Sequence, residues 1–141
     1  MSWKTHKSSG FASRPESVQE GFVTCIKFDL SVNDMSVNDR HVKSIVRTDK
    51  FDGLLSPHMF KLKDDAIPVG EDELIVSPGY AWRFPITRER IVLHHYAIKS
   101  RQEFQEKLDR WKGESVRNWP WWDKLEGGPH LDCPEMARYT E

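Results

Sequence analysis

The stretch that decides the fold runs from Arg90 to Gly113: Arg90-Ile91-Val92-Leu93-His94-His95-Tyr96-Ala97-Ile98-Lys99-Ser100-Arg101-Gln102-Glu103-Phe104-Gln105-Glu106-Lys107-Leu108-Asp109-Arg110-Trp111-Lys112-Gly113. Arg90 to Ile98 is a β-branched and aromatic run of strand length. Ser100 followed three residues later by Glu103 forms a capping box, which predicts a helix start. Phe104, Leu108 and Trp111 then recur at i, i+4 and i+7 and give one apolar stripe. Glu103 with Lys107 and Glu106 with Arg110 are favourable i,i+4 pairs, and Gly113 is placed to end the helix.

Working outward, the 141 residues suit one domain with one core. The tail after residue 117 contains Gly127-Gly128-Pro129 and Cys133-Pro134, which predicts a coil over the surface with a last helical turn near Met136. Upstream, Pro15 fits the first turn of a helix with Ser13 as its flank, running to about Phe28, and a helix passing into a strand is the equal alternative. Ser31-Val32-Asn33-Asp34-Met35 is repeated as Ser36-Val37-Asn38-Asp39-Arg40, and reads as a small expansion in an exposed loop. Val42 to Arg47 predicts a short strand. Leu54 to Leu62 predicts an extended segment broken by Pro57, and Gly70 to Glu73 a solvated turn.

A formal net charge of -1 gives no general attraction to nucleic acid, and no basic block marks an anionic membrane surface. No apolar run approaches the ~20 residues of a membrane span, and no apolar segment follows the basic N-terminus as in a signal peptide. As written, the chain is expected to stay in the cytoplasm. Cys25 and Cys133 form no metal-ligand spacing. One long-range disulfide is open, but two free, partly buried thiols are the expected state. Trp111, Trp119, Trp121 and Trp122 crowd into a dozen residues; packing around Pro120 is the expected use, and a sugar-stacking surface the alternative.

The chemistry-bearing candidates cluster around the strand–helix unit. His95 at a strand end is available as a metal ligand, although a lone strand-end His is ordinarily structural. Lys99 and Ser100 open a helix, whose free backbone N–H groups favour an anion; a solvated Lys beside an N-capping Ser explains the same residues. Lys43, Ser44, Arg47 and His58 are similarly two-sided. The sequence contains no GxGxxG, no GxxxxGK[ST], no Gly-x-Ser-x-Gly and no Asp-x-Asp.

In their order, these segments resemble a family. His94-His95-Tyr96-Ala97-Ile98-Lys99-Ser100, then Glu103-Phe104 and Lys107, is similar to the His-Tyr-x-x-Lys-Ser-x-x-Glu-Phe-x-x-Lys signature that closes the catalytic domain of GT-A glycosyltransferases of the family-2 and family-92 type, the latter formerly a domain of unknown function, number 23. Val42 to Arg47 resembles that family's Lys-Ser-Ile-Val-Arg segment. Trp3 and Lys7-Ser8-Ser9-Gly10-Phe11, with Arg14-Pro15 beyond, resemble its Trp…Gly-Ser-Ser-Gly-His stretch, with Lys7 in place of the first Gly and Phe11 in place of the His.

The resemblance implies an α/β (α+β) fragment, the C-terminal portion of a GT-A-like domain, built of short strands and a terminal strand–helix unit. It would occupy residues 1–117, with a Trp/Pro/Gly-rich tail over 118–141. It implies sugar transfer from a nucleotide-sugar donor to an acceptor glycan or protein, incomplete in this chain because the Asp-x-Asp region is missing; the alternative is a non-catalytic remnant or a glycan- or protein-binding module. It implies Mn²⁺ or Mg²⁺ in the complete domain, with His95 near the metal. Lys99, Ser100, Ser8, Ser9, Gly10 and Lys43 would serve substrate or phosphate. Strands that belong beside a missing half would leave an exposed edge open to self-association.

Overall fold

The strand–helix reading holds at the level of the backbone. In a computed structural model, which describes residues 1–28, 40–77, 81–111 and 118–139, β5 spans Val92–Tyr96 and α2 spans Arg101–Trp111. Before them come β1 (Ser2–His6), α1 (Val18–Gly21), β2 (Thr24–Ile26), β3 (Phe51–Ser56) and β4 (Met59–Leu62); after them α3 (Trp119–Gly127) and β6 (His130–Asp132). The fold therefore mixes helices and strands. Four strands form one sheet in the order β5–β1–β2–β6, and β3 and β4 form a separate pair. The chain divides into two compact units: Met1–Lys4 with Asp29–His94, and Thr5–Phe28 with His95–Glu141.

In the second unit, β2 lies antiparallel to β6, with Cys25 opposite Leu131, and antiparallel to β1, with His6 opposite Cys25. The buried core is Ile26, Ala97, Ile98, Phe104, Trp122 and Leu125. Phe104 is fully buried, with ring centroids of Trp122 at 4.9 Å, Trp119 at 5.2 Å and Trp121 at 6.0 Å. The expected coil after residue 117 is thus a helix and a strand. Asn118 starts α3 by accepting a 2.9 Å hydrogen bond from the Trp121 N–H, and Pro120 sits in the first turn. The Gly-Gly-Pro punctuation ends this helix rather than describing the whole tail. The final turn near Met136 is present as a 3-10 helix, Pro134–Tyr139.

The segment from Pro15 follows the helix-into-strand alternative. Ser17, not Ser13, caps α1, accepting from the Glu20 N–H at 3.2 Å. A Cβ on the buried Gly21 would meet Pro15 Cγ at 2.5 Å, so the helix closes where the chain passes against its own proline. The expectation of two free thiols is overturned: Cys25 and Cys133 are disulfide-bonded, both fully buried, with Cα atoms 5.8 Å apart. Their separation of 108 residues gives no local signal of pairing.

In the first unit, Leu54 to Leu62 turns back on itself as the β3–β4 hairpin. Ser56 Oγ holds the turn, accepting from the N–H groups of His58 (3.1 Å) and Met59 (3.2 Å). Phe51, Leu54 and Leu55 on β3 are exposed, the kind of edge that invites pairing. The expected strand over Val42–Arg47 reduces to single bridges at His41–Trp82 and Ser2–Val42. Its amide donors go to three different partners, Ala81, Met1 and His58, instead of one ladder. The duplicated five-residue units lie outside the described residues up to Asp39.

Candidate functional site

A cleft of about 200 Å³ opens in the second unit beside the strand–helix junction. Tyr96, Ala97 and Ile98 form one wall as β5 ends, and α2 supplies Glu103, Glu106, Lys107 and Arg110 from successive turns of one face. Lys99 stands at the junction in a left-handed conformation, φ 54°, which a residue with a Cβ adopts at a cost. Arg14 reaches the cleft from the segment before α1. Four cationic side chains therefore face two carboxylates, and the balance favours a small anion.

Glu103 organises the cleft. Ser100 Oγ donates to its Oε2 at 2.9 Å and accepts from the Glu103 N–H at 3.3 Å, closing the expected capping box. Lys99 Nζ approaches its Oε1 at 3.4 Å and Arg14 Nε the same oxygen at 3.3 Å. Burial would raise the Glu103 pKa, but the hydrogen bond from Ser100 and the charge of Lys99 outweigh it and hold the carboxyl below its ordinary range. Glu106 accepts from Arg14 Nη2 at 3.3 Å and from Gln102 Nε2 at 3.1 Å, and Lys107 Nζ reaches the Ala97 carbonyl at 3.5 Å. The Tyr96 hydroxyl is buried without a hydrogen-bond partner among the described residues, and burial pushes its pKa up, so it stays a donor.

The candidate residues separate by environment. Lys99 lines the cleft, while Ser100 is fully buried beneath it as the helix cap. The amide donors that open α2 already have acceptors: Arg101 N–H donates to Phe11 O at 3.1 Å and Gln102 N–H to Ala12 O at 2.9 Å. An anion in the cleft would thus meet side chains, not the helix end. Ser8 gives its N–H (3.1 Å) and hydroxyl (2.8 Å) to the Glu126 carboxylate, and Ser9 Oγ lies 2.7 Å from Thr24 Oγ1. Ser9 and Gly10 have φ of 53° and 80°, a tight turn closed by the Phe11 N–H on Ser8 O at 3.1 Å. Lys7, where the family pattern has Gly, donates from Nζ to the Gly128 carbonyl at 3.0 Å. Lys43 belongs to the first unit.

His95 is half-buried on β5 and does not line the cleft. Among the described residues no group of three or more His, Cys, Asp and Glu side chains is placed to hold a metal ion. The Mn²⁺ or Mg²⁺ implied by the resemblance has no donor set among them. Sequence reasoning missed Arg14, Tyr96, Glu106 and Arg110 as cleft residues. Arg110 and Glu106 were reachable from helical spacing, but nothing local ties Arg14 to residues about ninety positions away.

Among the described residues no helix is long and apolar enough to cross a membrane. Compared with protein-family models, curated proteins and solved structures, the chain matches none of them.

Proposed function

We propose that this chain is the C-terminal part of a GT-A-type glycosyltransferase, contributing a cationic cleft for the phosphates of a nucleotide-sugar donor. One observation carries the reading. Two of the motif segments that resemble the family, Lys7 to Pro15 and His95 to Lys107, lie far apart in sequence yet are joined by Arg14 to Glu103, Arg14 to Glu106, and the amides of Arg101 and Gln102. At the same place Lys99, Lys107, Arg110 and Tyr96 line one cleft. Lysine and arginine donors around a small cleft suit phosphate oxygens. A metal in the complete enzyme would take its carboxylates from elsewhere.

Titration of the chain with uridine diphosphate, followed by amide resonances, tests this. Shifts are expected at Tyr96, Lys99 and Lys107, and Lys99→Ala or Lys107→Ala should each weaken binding about tenfold. Binding that ignores both substitutions, or no binding of any nucleoside diphosphate, would overturn the reading. Robust sugar transfer by this chain alone with Mn²⁺ would overturn the view that the donor half lies outside it.

The alternative of a glycan-binding tail is weaker, because Trp119, Trp121 and Trp122 pack on Phe104.

A further inference from the structure

The first unit contains a cavity of about 550 Å³, within the range of pockets that hold small organic molecules. Its floor is Val42, Met59 and Val76, the buried cluster of this unit. Its rim carries Ile67, Val69 and Ile91, which are 58%, 53% and 41% exposed. The lining is thus mostly aliphatic, and covering the rim would remove apolar surface from water.

The charges along the wall are nearly all answered. Arg47 pairs with Asp49 at 2.9 Å, Lys50 with Asp64 at 2.8 Å, and the buried Arg83 with Asp72. The Glu71 carboxylate accepts from the N–H groups of Glu89 (2.8 Å), Arg90 (3.0 Å) and Ile91 (2.8 Å), which outweigh its desolvation and keep it ionised. Lys43 differs. Its ammonium donates to the Pro57 carbonyl, and among the described residues it has no carboxylate partner. A neutral carbonyl leaves the ammonium charge uncompensated, whereas the Met1 ammonium in the same lining, which donates to the Lys43 carbonyl at 3.0 Å, is attracted by the Glu71 carboxylate.

We propose that this cavity binds an unbranched aliphatic carboxylate, its chain on Val42, Met59 and Val76 and its carboxylate on Lys43. One uncompensated positive charge matches a single negative charge, whereas an alkyl phosphate brings nearly two. The site does not rest on the transferase reading.

The test uses the whole chain with decanoate below its micellar concentration, read by side-chain methyl resonances. Saturable shifts are expected at Val42, Met59 and Val76. Decanol and decyltrimethylammonium should bind about tenfold more weakly or worse, and decyl phosphate more weakly than decanoate. Lys43→Gln should bring decanoate to the level of decanol. Ile67→Trp, at an exposed rim position, should reduce decanoate binding without changing the circular dichroism. Equal binding of every head group would mean a non-specific apolar surface and would overturn the proposal, as would shifts centred elsewhere or no saturable binding. If Lys43→Gln does not fold, the head-group series on the native chain decides alone.

Discussion

Glu103 is 9% exposed and answers Ser100, Lys99 and Arg14 at once. Its folded-state pKa lies below the ordinary 4.5, so its stabilisation is complete above that value and is lost as pH falls through the lower, folded one. Urea midpoints measured from roughly pH 6 to roughly pH 3 should fall more steeply for the native chain than for Glu103→Gln, in which this carboxyl no longer titrates. Parallel acid limbs would show that the carboxylate gains nothing on folding. The Ser100–Glu103 bond was legible because a capping box is a three-residue spacing. The helical spacing pairs Glu103 with Lys107 and Glu106 with Arg110, and in the folded unit Arg14 brings a further cation to both carboxylates. Its approach depends on the turn of Ser9 and Gly10 and on the chain passing Phe11, none of which a local pattern encodes.

Elements were legible where their signals were local. β5 and α2 announce themselves by a β-branched run, a cap and an apolar stripe. Phe104 and Leu108 of that stripe meet the core as expected; the Trp111 side chain and the stop at Gly113 lie outside the described residues. The tail is less legible because its glycines and proline outweigh Asn118 and Pro120, which are the helix start. Helix α3 then completes the core through Trp122 and Leu125. Truncating Phe104 removes the ring on which three tryptophans rest, so Phe104→Ala should cost about 3–5 kcal/mol in chemical denaturation. A loss well under that range would mean that α2 and α3 are held together mainly by other contacts.

At the scale of the molecule, the buried Cys25–Cys133 bond matters most. Disulfides persist in oxidising surroundings, and closing a loop of this length stabilises mainly by restricting the unfolded chain. Cys25→Ser should lower unfolding stability by about 2–5 kcal/mol, and alkylation of the unreduced, denatured chain should label neither native cysteine. Labelling of both would remove the bond. Topologically, that bond closes residues 25 to 133 into a ring, from which the chain leaves as a tail at each cysteine. Lys43 with the Val42, Met59 and Val76 floor of its cavity and the Lys99 cleft wall are on the ring, while Arg14 is on a tail. A protease cutting any one peptide bond between the two cysteines would therefore open the ring without releasing a fragment. The nicked species would keep its mass, apart from one added water, until a reductant separates its pieces.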